Sequence, residues 1–183
     1  MTPAPPSPPP DDPRSDAELL EAYLRGDARG FETLYARHRE FVARVARRFA
    51  RDESEAMDAF QEAFARVVQH APRLRLAGKL STWLYPVIRN LIAERRRKDR
   101  NLRLVGDERE SDGPGVPVAP SPTGDLDTTE LQKRLARLPD DHREVLLLRV
   151  VEQMTVEEVS IALGIPEGTV KSRLHHAIKA MST

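Results

Sequence analysis

Thr155-Val-Glu-Glu-Val-Ser-Ile-Ala-Leu-Gly-Ile-Pro-Glu-Gly-Thr-Val-Lys-Ser-Arg-Leu174 decides the architecture of this chain. Thr155 and Glu158 stand three apart ahead of an apolar run, so that hydroxyl and carboxylate each satisfy an orphaned backbone donor at a helix start, a capping box. Val156, Val159 and Ala162 line one face of a short helix, and Gly164 stops it. After Ile165-Pro166, the residues Val170, Leu174, Ala177/Ile178 and Met181 recur as the inner stripe of a last helix. Two short helices about a Gly-centred turn make a helix-turn-helix. Gly168, Ser172, His175, His176 and Lys179 point away from that stripe, flanked by Thr169, Lys171 and Arg173. A short, polar, basic face of this kind suits entry into the major groove of DNA. A purely structural hairpin uses the same Gly turn, and the Lys171-Ser-Arg173 cluster is what favours DNA. The neighbouring His175 and His176 diverge by about 100° on a helix, with no Cys or carboxylate placed to complete coordination, so no metal site is expected.

Upstream, Leu131, Leu135 and Leu138 lead to Pro139 and a buried helix from Asp140 to Val151. Ahead of that, Gly106 to Gly124 holds four Gly and four Pro without periodicity, which reads as a flexible linker. A further seven of the 15 prolines fall in Met1 to Pro13, where too little apolar surface exists to offset ordering the backbone. The expected organisation is a disordered tail (1–15), a first helical module (16–104), an acidic linker (105–126) and the helix-turn-helix module (127–183). The fold class is all-α, two small helical domains.

The first module reads as four helices. Asp16-Ala-Glu-Leu-Leu opens the first behind an acidic cap, and Gly26-Asp27 ends it. Phe31, Leu34, Tyr35, His38, Phe41/Val42, Val45 and Phe49 mark one face of a long second helix, with Arg37, Arg44, Arg47, Arg48 and Arg51 elsewhere around it. In the third, Phe60, Ala63/Phe64 and Val67 form the buried stripe, while Asp58, Gln61, Glu62 and Gln69 share a polar face that by itself reads as solvated surface. In the fourth, Leu84, Ile88, Leu91 and Ile92 face the core, and seven basic residues against two acidic lie between Arg89 and Arg103. Cations this dense beside Trp83 and Tyr85 suit a groove for melted nucleic acid, in which rings stack on unpaired bases. Trp83 as plain core, and the Arg run as a helix end favoured by the macrodipole, are the competing readings. Pro86 implies either a helix start near Leu84 or a kink.

Charge follows the same divisions. The chain of 183 residues balances 29 Lys+Arg against 29 Asp+Glu. By segment, however, the net is −1 for Met1–Arg14, +6 for Ser15–Leu104, −6 for Val105–Glu130 and +1 for Leu131–Thr183. The zero is therefore a cancellation, and it does not exclude a polyanionic partner. The absence of Cys excludes disulfides, thiolate metal sites and cysteine nucleophiles. No apolar run approaches the roughly 20 residues of a membrane helix, so a soluble cytoplasmic protein is expected.

Leu138-Pro-Asp-Asp-His-Arg-Glu-Val-Leu-Leu-Leu-Arg149 and the Thr155–Leu174 stretch resemble region 4 of the small bacterial sigma factors of the extracytoplasmic-function group, in the sigma-70 family. Asp58-Ala-Phe-Gln-Glu-Ala-Phe64 resembles region 2.2, and Thr82-Trp-Leu-Tyr85 with Arg89-Asn-Leu91 resembles region 2.3 running into 2.4. The resemblance implies an alternative transcription initiation factor that binds core RNA polymerase and promoter DNA, with no catalytic residues and no cofactor. It implies that Asp58, Gln61 and Glu62 dock on polymerase. It implies that the 72–81 loop with Lys79 and Trp83 captures the unpaired −10 strand, and that Arg89, Asn90, Arg95, Arg96 and Arg97 hold adjacent DNA. Thr169, Lys171, Ser172, Arg173 and His176 would read the −35 element. The acidic linker would lie in a positive channel of polymerase, and an anti-sigma factor is a further partner of such proteins. The rivals are an autonomous helix-turn-helix regulator, which binds duplex DNA without polymerase, and a recombinase. The latter needs a nucleophile among arginines, whereas Tyr23, Tyr35 and Tyr85 sit in or beside apolar stripes.

Overall fold

The computed structural model describes residues 12–76, 78–104 and 133–182, so the expectations for residues 1–11 of the Pro-rich tail, the acidic linker and Leu131 fall outside the described residues. Residues 12–15, expected in that disordered tail, are instead held in place: Arg37 donates to the Asp12 and Arg14 carbonyls, and Ser15 caps the first helix. Helix α1 (Asp16–Leu24) starts from Ser15, whose hydroxyl accepts from Glu18 N while Glu18 closes a capping box on the Ser15 backbone. Asp16, expected in the cap, instead turns inward and is buried. Gly26 takes a φ of 96° to end the helix, and Asp27 caps α2 (Ala28–Phe49). The predicted stripe of α2 is buried at Leu34, His38, Phe41, Val42, Val45 and Phe49, while Tyr35 stays at the surface. α1 lies so close on α2 that a Cβ at Gly30 would stand 2.4 Å from the Leu19 carbonyl oxygen and 2.9 Å from Tyr23 N. Backbone cannot give way as a flexible side chain can, so Gly30→Ala is expected to cost about 1–3 kcal/mol of stability. A urea midpoint unchanged from the parent's would contradict this.

Helix α3 (Glu53–His70) buries Ala63, Phe64 and Val67 as read from sequence, with Phe60 only half-buried. Helix α4 (Leu80–Leu104) starts earlier than Pro86 suggested and runs through it. The reason lies at its first residue, where Leu80 N–H donates to the Asp16 carboxylate at 2.7 Å. A side chain from another helix thus caps α4, and Pro86 forfeits only the bond its missing N–H would make to Thr82. Leu84, Ile88, Leu91 and Ile92 fill the core as expected. Tyr85 does so too, fully buried with its ring edge-on to Phe49.

The second module comprises α5 (133–137), then α6 (Asp140–Val150), α7 (Val156–Leu163) and α8 (Glu167–Met181). The Thr155/Glu158 capping box forms, and Gly164 adopts the left-handed conformation with φ 66°, so the helix-turn-helix stands as read. Ile178 departs from the inner stripe: Ala177 is buried, whereas Ile178 is 49 % exposed because it lies one step around the helix.

The modules do not stand apart. One apolar cluster runs from α1–α4 through Val145, Leu148, Met154, Val159, Ala162 and Val170 of the second module, and a smaller one (Leu138, Leu146, Ala177) closes α6 on α8.

Candidate nucleic-acid interface

Three surfaces gather the residues singled out in the sequence. The first is the outer face of α8, where Lys171, Ser172 and His176 are exposed while Thr169 and Arg173 are partly buried. Arg173 is held at 3.1 Å by Asp141 of α6, Lys171 pairs with Glu167 one turn back at 3.2 Å, and the His176 ring stacks parallel over His142 at 5.9 Å. These contacts aim side chains; ion pairs this exposed contribute little stability.

The second surface is α4. Arg89, Asn90 and Arg97 are exposed. Arg95 reaches across to Asp58 of α3 at 2.7 Å, and Arg96 is half-buried with its guanidinium donating to the Phe49 carbonyl. Asp58, expected on a free polar face with Gln61 and Glu62, is thus tied to an arginine expected on DNA. Glu62 holds Arg66 at 3.3 Å, which also approaches Glu94 at 3.7 Å, whereas Gln61 is exposed. Beside this acidic face, Tyr35, Met57 and Phe60 line a shallow groove between α2 and α3.

Trp83 resolves between its two readings: it is half-buried against the core with one edge toward His70 at 6.0 Å, leaving part of the ring accessible. Tyr85 does not serve as a stacking ring here. Its hydroxyl donates to Glu144 at 2.7 Å, and burial together with that carboxylate pushes the phenol well above its ordinary range, keeping it a proton donor.

The third surface is the 72–81 loop. Its end is fixed by Asp16, whose carboxylate accepts from Leu80 N–H, lies 2.7 Å from His38 Nε2 and pairs with Arg37 at 2.5 Å. Burial alone would raise the Asp16 pKa; the hydrogen bond and charge of His38, the Leu80 amide and Arg37 outweigh it and hold the group at about 2. Lys79, next to this anchor, reaches Glu158 at 3.4 Å. Sequence reading missed Asp16 as an anchor; the signal was His38, a polar ring inside an apolar stripe that needs a partner.

An all-helical protein with a helix-turn-helix and a separate arginine-rich helix defines a two-module DNA-binding factor. Residues 34–102 match the family model for sigma-70 region 2, and residues 128–181 match that for sigma-70 region 4. The chain is 33 % identical over 168 residues to the ECF RNA polymerase sigma factor SigL of Mycobacterium tuberculosis, covering 91 % of this chain and 92 % of that one. With SigW of Bacillus subtilis, also an ECF RNA polymerase sigma factor, identity is 28 % over 174 residues, covering 88 % and 92 %. Among solved structures, CnrH in complex with the cytosolic domain of CnrY matches with a TM-score of 0.64 at 23 % identity, over 91 % of this chain and 94 % of that one. The sigma factor RpoE in complex with the anti-sigma factor NepR from Bartonella quintana matches at 0.60 and 22 %, over 82 % and 93 %. The chain belongs to the extracytoplasmic-function group of the sigma-70 family. Its function is that of an alternative sigma factor, which joins core RNA polymerase and directs it to promoter −35 and −10 elements. Among the described residues no helix is long and apolar enough to cross a membrane.

Proposed function

We propose that the work of initiation divides between residues 16–104, which bind core polymerase and the melted −10 strand, and residues 127–183, which read the −35 duplex. Residues 105–126 tether the two, and the Pro-rich residues 1–11 form a tail. Asp58, Gln61 and Glu62 face polymerase, and the Tyr35/Met57/Phe60 groove beside them supplies the apolar part that a stable protein contact requires. Lys79, Trp83, Arg89, Asn90, Arg95, Arg96 and Arg97 serve the −10 strand, Arg96 through its hold on the α2 carbonyl end and the exposed members directly. The protein works in the cytoplasm, catalyses nothing and needs no cofactor. An anti-sigma factor is a partner, a reading supported by the NepR-bound RpoE neighbour.

The observation that carries this reading is the capped helix-turn-helix whose second helix turns Lys171, Ser172 and His176 outward while Asp141 orients Arg173 beside them. On a promoter the holoenzyme transcribes, Arg173→Ala is expected to weaken binding by about 1–3 kcal/mol and to relax discrimination at one −35 position, the effect of losing a bidentate base contact. Unaltered −35 preference in a base-substitution series would remove Arg173 from the readout.

A further inference from the structure

Four ion pairs join the modules among the described residues, and each has its cation on the first module and its carboxylate on the second. Arg44 and Arg48, one turn apart on α2, reach Glu152 at 2.8 and 3.3 Å; Lys79 reaches Glu158 at 3.4 Å, and Arg89 reaches Glu144 at 3.0 Å. The Glu152 side chain is fully buried, a costly position for a carboxylate unless its cations are good partners. Lys79 and Arg89 are also residues proposed above to hold promoter DNA. The second module therefore presents carboxylate oxygens where strand phosphates would lie.

Resting on that functional reading, we infer that Arg44 and Arg48 extend the −10 site into a phosphate-binding track, Arg44–Arg48–Lys79–Arg89, and that Glu144, Glu152 and Glu158 occupy it in the closed chain as internal stand-ins for phosphate. The closed contact leaves Arg48 incompletely served: its Nη2 meets Glu152, but its buried Nη1 has no hydrogen-bond partner. A phosphodiester, with two free oxygens, satisfies both arms of such a guanidinium. Closure and strand binding then exclude each other, because both use the same cations. Parting the modules exposes the track.

The test measures binding of full-length chains to a labelled single-stranded DNA of mixed sequence across a salt series. Glu144→Gln/Glu152→Gln/Glu158→Gln keeps side-chain volume while removing the charges, and it is expected to bind about tenfold tighter than the parent. A second triple variant of equal net charge, at the exposed Glu21, Glu32 and Glu157, separates this from a general charge effect and is expected to gain no more than about twofold. Adding Arg44→Gln/Arg48→Gln to the first set is expected to abolish its gain and to flatten the salt dependence by roughly one to two phosphate contacts. Glu158→Gln alone, at the rim, is expected to give a gain of about threefold with Glu152 left in place. Equal affinity of the two triple variants, or a gain that survives loss of Arg44 and Arg48, would overturn the inference. Promoter-directed transcription by the parent holoenzyme reads sigma activity separately, so the inference can fail while the functional reading stands.

Discussion

Replacing Arg143 by Ala is expected to cost about 3–5 kcal/mol, enough to unfold much of the second module. Arg143 is buried to 8 % exposure, and its guanidinium donates to the carbonyls of Leu135, Ala136 and Leu138 at 2.7–3.0 Å. These are carbonyls at the end of α5 and its exit; Leu135 O also accepts from Leu138 N–H at 3.2 Å, whereas the other two depend on the guanidinium. Asp140, at 3.1 Å, balances the charge. Ala removes the donor of the Ala136 and Leu138 carbonyls at once, each at about 1–3 kcal/mol, and leaves Leu135 O only the Leu138 amide. Lys would not rescue, since a single ammonium cannot reproduce the planar fork. The check is a thermal melt with circular dichroism at 222 nm; a midpoint within a degree or two of the parent's would contradict this account of Arg143.

Asp16→Ala is the second large effect, about 3–5 kcal/mol, because it strands His38 and the Leu80 amide around a vacated buried site and leaves Arg37 only the Asp12 and Arg14 carbonyls. The same carboxylate predicts a pH dependence. Its pKa is about 2 when folded against an ordinary 3.8, so the unfolded chain takes up the proton first as pH falls. The stabilisation, about 2 kcal/mol, is complete above roughly pH 4–5 and is lost as pH falls through 3.8 toward 2. Asp16→Asn should flatten this acid limb of a urea-midpoint profile; a limb as steep as the parent's would assign it to other groups. Because Asp16 also fixes the start of α4, promoter opening should fall with it while −35 binding by the second module persists.

Helix positions, the capping box at Thr155, the Gly164 turn and the outward face of α8 were all legible from spacing, because each depends on contacts within one or two turns of chain. What spacing could not show were partners far along the chain. Asp16 looked like an N-terminal cap because acidic residues favour helix starts, yet Ser15 takes that role and Asp16 caps a helix that begins at residue 80. Of the two readings Pro86 left open, a start near Leu84 or a kink, the first fails for the same reason: the remote cap that lets α4 begin at Leu80 has no local signature. Tyr85 counted as a ring for bases because it adjoins Trp83, but the two side chains point about 200° apart around the helix, and the apolar stripe claims Tyr85. Reading the two modules as beads on a tether also missed Glu144, Glu152 and Glu158. In one-dimensional terms they are ordinary helix charges, and they gain meaning only opposite Arg89, Arg44, Arg48 and Lys79.

Run-off transcription with purified core RNA polymerase and a promoter library tests the central claim most directly. The account predicts discrete transcripts that require this protein, initiate downstream of a shared −35 and −10 pair, and disappear when either element is scrambled. Specific duplex binding by the free protein, with no transcript from any promoter in the presence of core polymerase, would contradict it and favour an autonomous regulator.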